Sequence, residues 1–144
     1  VLPSNYSRFR LFSQNVAATG NYGIFRFEVG GSFIASGYRD YALEGRYDST
    51  TTTLTRTAGN TGATFFQSPS LNINGEFDIQ LSDDLASIHG VLTASDTFSI
   101  HRHQVNRTFL DTASKATAIR ITFFSGSNTY DSGTFALYGY KETL

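Results

Sequence analysis

Apolar and polar residues alternate along most of the chain with a period of two residues. In residues 24–29, for example, Phe25, Phe27 and Val29 occupy every second position. Because successive side chains of a β-strand point to opposite faces, this pattern predicts strands with one buried face. Such strands are predicted in segments 6–12, 24–29, 38–47, 51–57, 86–93, 97–104, 117–124 and 133–140.

Residues 71–81 contain the clearest local signal for a turn. Asn74-Gly75 lies between two alternating apolar runs, 71–73 and 77–81. Asn-Gly in this context is typical of a type I′ turn, so the sequence predicts a β-hairpin. Residues 83–87 are the one segment that could form a helical turn. Segments 117–124 and 133–140 are predicted to close the fold as a second hairpin around a polar turn.

About nine or ten short strands with frequent turn residues predict an all-β fold. An open sheet of that size would leave one apolar face uncovered, so a two-sheet antiparallel sandwich is favoured, with a jelly roll as the preferred topology. Residues 1–144 are predicted to form one domain. Ten apolar positions are predicted to be mainly buried: Phe9, Leu11, Phe25, Phe27, Phe77, Ile79, Ile119, Ile121, Phe135 and Leu137.

Composition narrows the possible functions. The chain has no cysteine, so disulfides and thiolate metal sites are excluded. A net charge of −1 gives no field that would attract nucleic acid or an anionic membrane. The longest apolar runs are far shorter than the roughly 20 residues of a membrane-spanning helix. Polar residues such as Arg8 and Arg10 interrupt the first segment, where a signal peptide would need a continuous apolar run.

Glu76 and Asp78 are the strongest catalytic candidates. Two carboxylates at positions i and i+2 share one face of a strand, as in some jelly-roll glycoside hydrolases. In those enzymes a second glutamate follows the aspartate by two or three residues, and retaining hydrolysis needs it as the acid that partners the nucleophile. Here Gln80 and Leu81 occupy those two positions, and neither can donate the proton. The sequence therefore favours a solvated strand face over an active site, and we expect no enzyme activity.

Two weaker patterns concern metals. His101 and His103 share a strand face and could join a zinc site, with His89 as the one further histidine. An exposed surface or a contact between subunits is the favoured interpretation of this pair. Residues 72–78 resemble a calcium loop, but they lack the acidic residues that such a loop needs in its first positions. We expect no cofactor and no metal.

The last part of the chain resembles a group of virion proteins from tailed bacteriophages. Residues 118–124 are followed by Ser-Gly-Ser-Asn and then by Ser132-Gly133-Thr134, Leu137-Tyr138-Gly139 and Lys141. In that group an "aI-x-I … SGN … SGT-x-x-LYG-x-K" ending recurs. This chain departs from it at Ser127, which is inserted before Asn128, and at Tyr140, where a small aliphatic residue is more usual. The resemblance implies a structural protein of the virion, of the capsid decoration (cement) or tail-fibre jelly-roll type.

The resemblance leaves two placements open. A decoration protein would bind the capsid surface in many copies and stabilise the shell; its partners would be the major capsid protein and copies of itself, as a dimer or trimer. The chain has no heptad repeats of the kind that precede many fibre modules, which favours the capsid. The alternative is a tail or fibre module that binds host-surface carbohydrate. Either protein would be made in the host cytoplasm and would act in the virion.

Overall fold

The computed structural model describes residues 1–19, 22–46, 50, 52–67, 70–95, 101–123 and 129–140. No helix occurs in these segments, which form eleven strands. Their bounds are β1 (Arg8–Thr19), β2 (Tyr22–Val29), β3 (Ser32–Phe33), β4 (Tyr38–Arg46), β5 (Thr52–Asn60), β6 (Ala63–Gln67), β7 (Ser70–Leu81), β8 (Leu85–Ser95), β9 (His101–Asp111), β10 (Ala118–Phe123) and β11 (Thr129–Tyr140).

The strands form two antiparallel sheets, which confirms the predicted sandwich. The large sheet has seven strands in the order β11-β1-β7-β8-β9-β4-β5. In the small sheet β2 pairs with β10 along one edge and with β3 and β6 along the other. The chain passes between the sheets after β1, β3, β5, β6, β9 and β10, while β7, β8 and β9 form a meander within the large sheet. The topology therefore combines sheet-to-sheet crossings with one up-and-down segment.

The hydrophobic core lies between the sheets, and its five largest buried side chains are aromatic. Phe77 of the large sheet meets Phe25 of the small sheet edge to face, with ring centroids 5.1 Å apart. Six predicted core residues are buried as expected: Phe9, Leu11, Phe25, Phe27, Phe77 and Ile79. Ile119, Ile121 and Phe135 are half-buried and pack against this cluster.

The prediction for Leu137 is wrong. This side chain lies opposite buried Leu11 on β1 and so points to the core side of the large sheet, yet it is exposed. The reason is its position on β11, the edge strand of that sheet. Alternation identifies the face of a strand, but it does not reveal whether another layer covers that face.

The predicted hairpin at Asn74-Gly75 is also wrong, because β7 runs through both residues without a turn. The pairing of β7 with β1 shifts register here, between Ser13 and Val16. Asn15 and Asn72 adopt positive φ angles of 49° and 54°, and Asn74 Oδ1 accepts a hydrogen bond of 2.9 Å from the Asn15 N–H. The asparagines therefore satisfy the backbone of a bulge, a role that has the same local signature as a turn.

Residues 83–87, which could have formed a helical turn, do not: residues 82–84 connect β7 to β8, and β8 begins at Leu85. The Ser82 N–H donates to the carbonyl oxygen of Leu85, and the Ser82 hydroxyl donates to Asp84 Oδ1 at 2.8 Å.

The predicted closing hairpin of segments 117–124 and 133–140 is also wrong. Strand β10 pairs with β2 in the small sheet, whereas β11 pairs with β1 in the large sheet. Both β10 and β11 direct apolar side chains into the core, but β10 does so from the small sheet and β11 from the large sheet.

Candidate docking face

The most extended candidate site is the side of the large sheet that faces away from the small sheet, which we call the outer face. Four aliphatic side chains on adjacent strands form a row across it, the aliphatic stripe: Val91, Val105, Leu43 and Leu54. Val91, Leu43 and Leu54 are 40%, 44% and 56% exposed. These values are high for large apolar side chains that lie next to one another.

The register of four strands places the stripe residues side by side. Val91 on β8 lies opposite Val105 on β9, and Val105 lies opposite Leu43 on β4. Leu43 in turn lies opposite Leu54 on β5. Directly opposed residues share a sheet face and have Cβ atoms roughly 4.5–5.5 Å apart, so the four side chains form a continuous patch.

Arginines and aromatic rings lie along one side of the stripe. The guanidinium of Arg56 lies 5.9 Å from the ring centroid of Tyr41, and that of Arg107 lies 4.9 Å from the Phe109 centroid. At the other end of the outer face, Arg10 lies 5.5 Å from the Tyr140 ring. Cation–π contacts of this kind hold long arginine side chains in place at the surface.

The outer face carries more positive than negative charge among the described residues. Its strands present five arginines, Arg8, Arg10, Arg39, Arg56 and Arg107, and three carboxylates, Glu76, Asp78 and Asp111. The complete chain has a net charge of −1. The remaining surface is therefore more acidic than this face.

Glu76 and Asp78 lie on the outer face, opposite the buried Phe77 and Ile79, as the solvated-face interpretation predicts. Arg10 binds both of them: its Nη1 is 3.0 Å from Glu76 Oε1 and its Nε is 3.1 Å from Asp78 Oδ1. The hydrogen bond that Arg10 Nε donates to the Asp78 carboxylate raises the pKa of Arg10 above its ordinary value. The two carboxylates thus share one arginine, and this arrangement is that of a surface ion cluster.

His89 and His103 lie apart on neighbouring strands. His103 is exposed and pairs with Thr93, whereas His89 pairs with Arg107, which is four residues further along β9. The side chain of His101 lies outside the described residues. Within the described part of the chain, no group of three His, Cys, Asp or Glu side chains could hold a metal ion.

A buried polar cluster on the inner face of the large sheet was not predicted. Thr108 donates a hydrogen bond to Asp40 Oδ1, and Gln104 Nε2 donates to Asn106 Oδ1 at 2.6 Å. All four side chains are buried. Gln104, Asn106 and Thr108 follow the two-residue period, but polar residues at alternate positions normally indicate a solvated face, so the pattern gave no signal of burial.

Tyr38 and Tyr41 differ sharply in their surroundings, although only two residues separate them. Tyr38 is buried and Tyr41 is 44% exposed. Burial raises the pKa of Tyr38 to about 12, and burial also raises the pKa of Tyr130. Tyr41 lines an open depression of about 390 Å³ together with Arg39, Leu85, Phe109 and Asp111.

Comparisons with known proteins found no matching family model, no similar curated protein and no similar solved structure. None of the described segments forms a helix long and apolar enough to cross a membrane.

Proposed function

We propose that this chain is a structural protein of a tailed-bacteriophage virion, most directly a capsid decoration or cement protein, and that it docks on the shell through the outer face. The observation that carries the proposal is the aliphatic stripe, an apolar row across four strands with three exposed side chains and one half-buried side chain, which no described element covers. Contiguous exposed apolar surface on a folded domain marks an interaction site.

The residues around the stripe have the composition of a protein interface. Interface centres are enriched in tyrosine and arginine, and these residues supply a large share of binding energy. Tyr41, Arg56 and Arg107 adjoin the stripe through the register of β9, β4 and β5. All three project from paired strands, so the backbone that carries them is already ordered before binding.

The excess of arginine on the outer face predicts the charge of its partner. A positive face is steered to a negative one and is repelled by a like surface. We therefore expect the face to meet an acidic area of the major capsid protein. Many copies, each making one moderate contact, would stabilise a shell through their combined effect.

The proposal is tested by rebinding to stripped particles. Particles of the source phage are freed of this protein by mild denaturant, and purified variants are added back. Arg107→Glu should lower occupancy at least about tenfold, because it replaces an attractive charge with a repulsive one. Arg120→Glu makes the same charge change on the small sheet, where Arg120 is exposed, and should bind like the wild type. Equal loss in both variants would contradict docking through the outer face.

A glycan-binding tail or fibre module is the second candidate, and the Tyr41 depression favours it. An exposed ring beside Arg39 and Asp111, whose side chains pair at 2.7 Å, offers a stacking surface and hydrogen-bonding groups for a sugar. A glycan array separates the two candidates. Binding that is abolished by Tyr41→Ala would favour the glycan module, and an array without signal would favour the capsid.

A further inference from the structure

Strand β11 is an exposed edge with unusual composition. Residues 134–140 pair with β1 in an unbroken register, from Gln14 opposite Thr134 to Arg8 opposite Tyr140. No described strand pairs with the other side of β11. Three large side chains are open to solvent here: Leu137, Tyr138 and Tyr140 are 41%, 57% and 43% exposed.

Folded proteins protect such edges against pairing with other chains. The usual devices are charged residues, proline, β-bulges or a very short strand. Residues 134–140 contain no charged residue and no proline, and the register shifts of β11 lie before this segment. A regular, apolar edge without these devices is a surface on which another strand can add.

The segment is complementary to itself. If two copies pair antiparallel about Leu137, the leucines lie opposite each other and Phe135 lies opposite Gly139 of the second copy. Tyr138 then lies opposite Ala136, and Tyr140 opposite Thr134. Apart from the two leucines, which meet at the axis, each large side chain meets a small one, and no like charges face each other. We propose that β11 forms the two-fold interface of a homodimer, which continues the large sheet from one copy into the next.

The opposite edge of the large sheet is less suited to this role. Strand β5 carries Arg56 and several threonines around a single leucine, Leu54. Charge and polar side chains at an edge oppose addition of a further strand. The apolar composition of residues 134–140 therefore favours β11 as the pairing edge.

The geometry of the dimer has a consequence for docking. A two-fold axis between antiparallel strands runs perpendicular to the sheet, so both outer faces point to the same side. The dimer would present two aliphatic stripes to one partner surface, and the second contact would benefit from a high effective concentration. The dimer itself does not depend on the proposed virion function.

Sedimentation of the purified full chain tests the interface. We expect a dimer that Leu137→Lys weakens by roughly hundredfold, because each copy loses the burial of one leucine and gains a charge at the axis. The matched control is Leu54→Lys, which places the same charge on the other edge and should leave the dimer intact. A wild-type chain that stays monomeric up to about 1 mM would overturn the proposal, as would dissociation by Leu54→Lys alone.

Crosslinking provides a second test that does not require a destabilising change. The natural chain has no cysteine, so Leu137→Cys introduces its one thiol. Opposed residues of an antiparallel pair have Cα atoms roughly 4.5–5.5 Å apart, within the range that a disulfide spans. Mild oxidation should give a covalent dimer of Leu137→Cys and none of Leu54→Cys. Absence of the Leu137→Cys crosslink would overturn the register. If Leu137→Cys forms the crosslinked dimer but does not rebind stripped shells, the virion proposal is contradicted and the dimer proposal stands.

Discussion

The ring of Phe77 lies against the backbone of Gly90, its directly opposed partner on β8. A Cβ atom added to Gly90 would fall 2.0 Å from Cδ1 of that ring. Phe77 is fully buried and its ring also meets Phe25 edge to face, so more than one contact holds it in place.

Gly90→Ala should therefore destabilise the fold by about 1–3 kcal/mol, the usual effect of overpacking a core. Urea unfolding measures the change. Gly45→Ala is the matched control, since a Cβ at this strand glycine meets nothing within 4 Å. It should be neutral or stabilising by up to about 1 kcal/mol. Equal effects of the two substitutions would contradict the packing of Phe77.

Tyr38 links the two sheets through its hydroxyl. The Phe27 N–H donates to this oxygen at 2.8 Å, and the hydroxyl donates to the Ile34 carbonyl oxygen at 3.2 Å. Tyr38→Phe removes both bonds and leaves a buried backbone N–H without its acceptor, so we expect a loss of about 1–3 kcal/mol. Tyr138→Phe makes the same change at an exposed position and should alter the free energy of unfolding by less than about 0.5 kcal/mol.

The same tyrosine predicts a loss of stability in alkali. Its pKa is about 12 in the folded protein and 10.0 in an unperturbed side chain. Below pH 10 both states keep the proton, and between pH 10 and 12 the unfolded state releases it first, so stability falls across this window. Unfolding in urea at several pH values should show a steeper fall for the wild type than for Tyr38→Phe. Parallel curves would contradict burial of the hydroxyl.

Glu76 and Asp78 are expected to act as partners of Arg10 and not as catalysts. Glu76→Gln removes one exposed ion pair and should cost less than about 1 kcal/mol of stability. Glucan hydrolysis assays on purified wild type should show no turnover. Steady hydrolysis that Glu76→Gln abolishes would contradict this assignment.

The alternation of apolar residues was sufficient to predict the all-β class, the two-sheet sandwich and six of its buried side chains. Alternation shows which residues of a strand share a face, but it does not predict which other strands pair with that strand or cover it. Leu137 has the correct face but lies on an uncovered edge, and β10 and β11 have suitable faces but belong to different sheets. Such pairings depend on contacts between residues far apart in the chain.

The outer face was beyond prediction for the same reason. Val91, Val105, Leu43 and Leu54 are separated by many residues in sequence, and the register of three strand pairs brings them into one row. Asn74-Gly75 illustrates a further limit, because a bulge and a hairpin turn require the same residue types.

The most direct test of the virion proposal is the number and position of copies in purified particles of the source phage. Quantitative mass spectrometry gives the number, and electron cryomicroscopy gives the position. The proposal predicts many copies, in a number set by the symmetry of the shell, with the outer face of the large sheet against the capsid protein. A few copies, all retained on detached tails, would contradict the capsid placement and favour the glycan-binding fibre module.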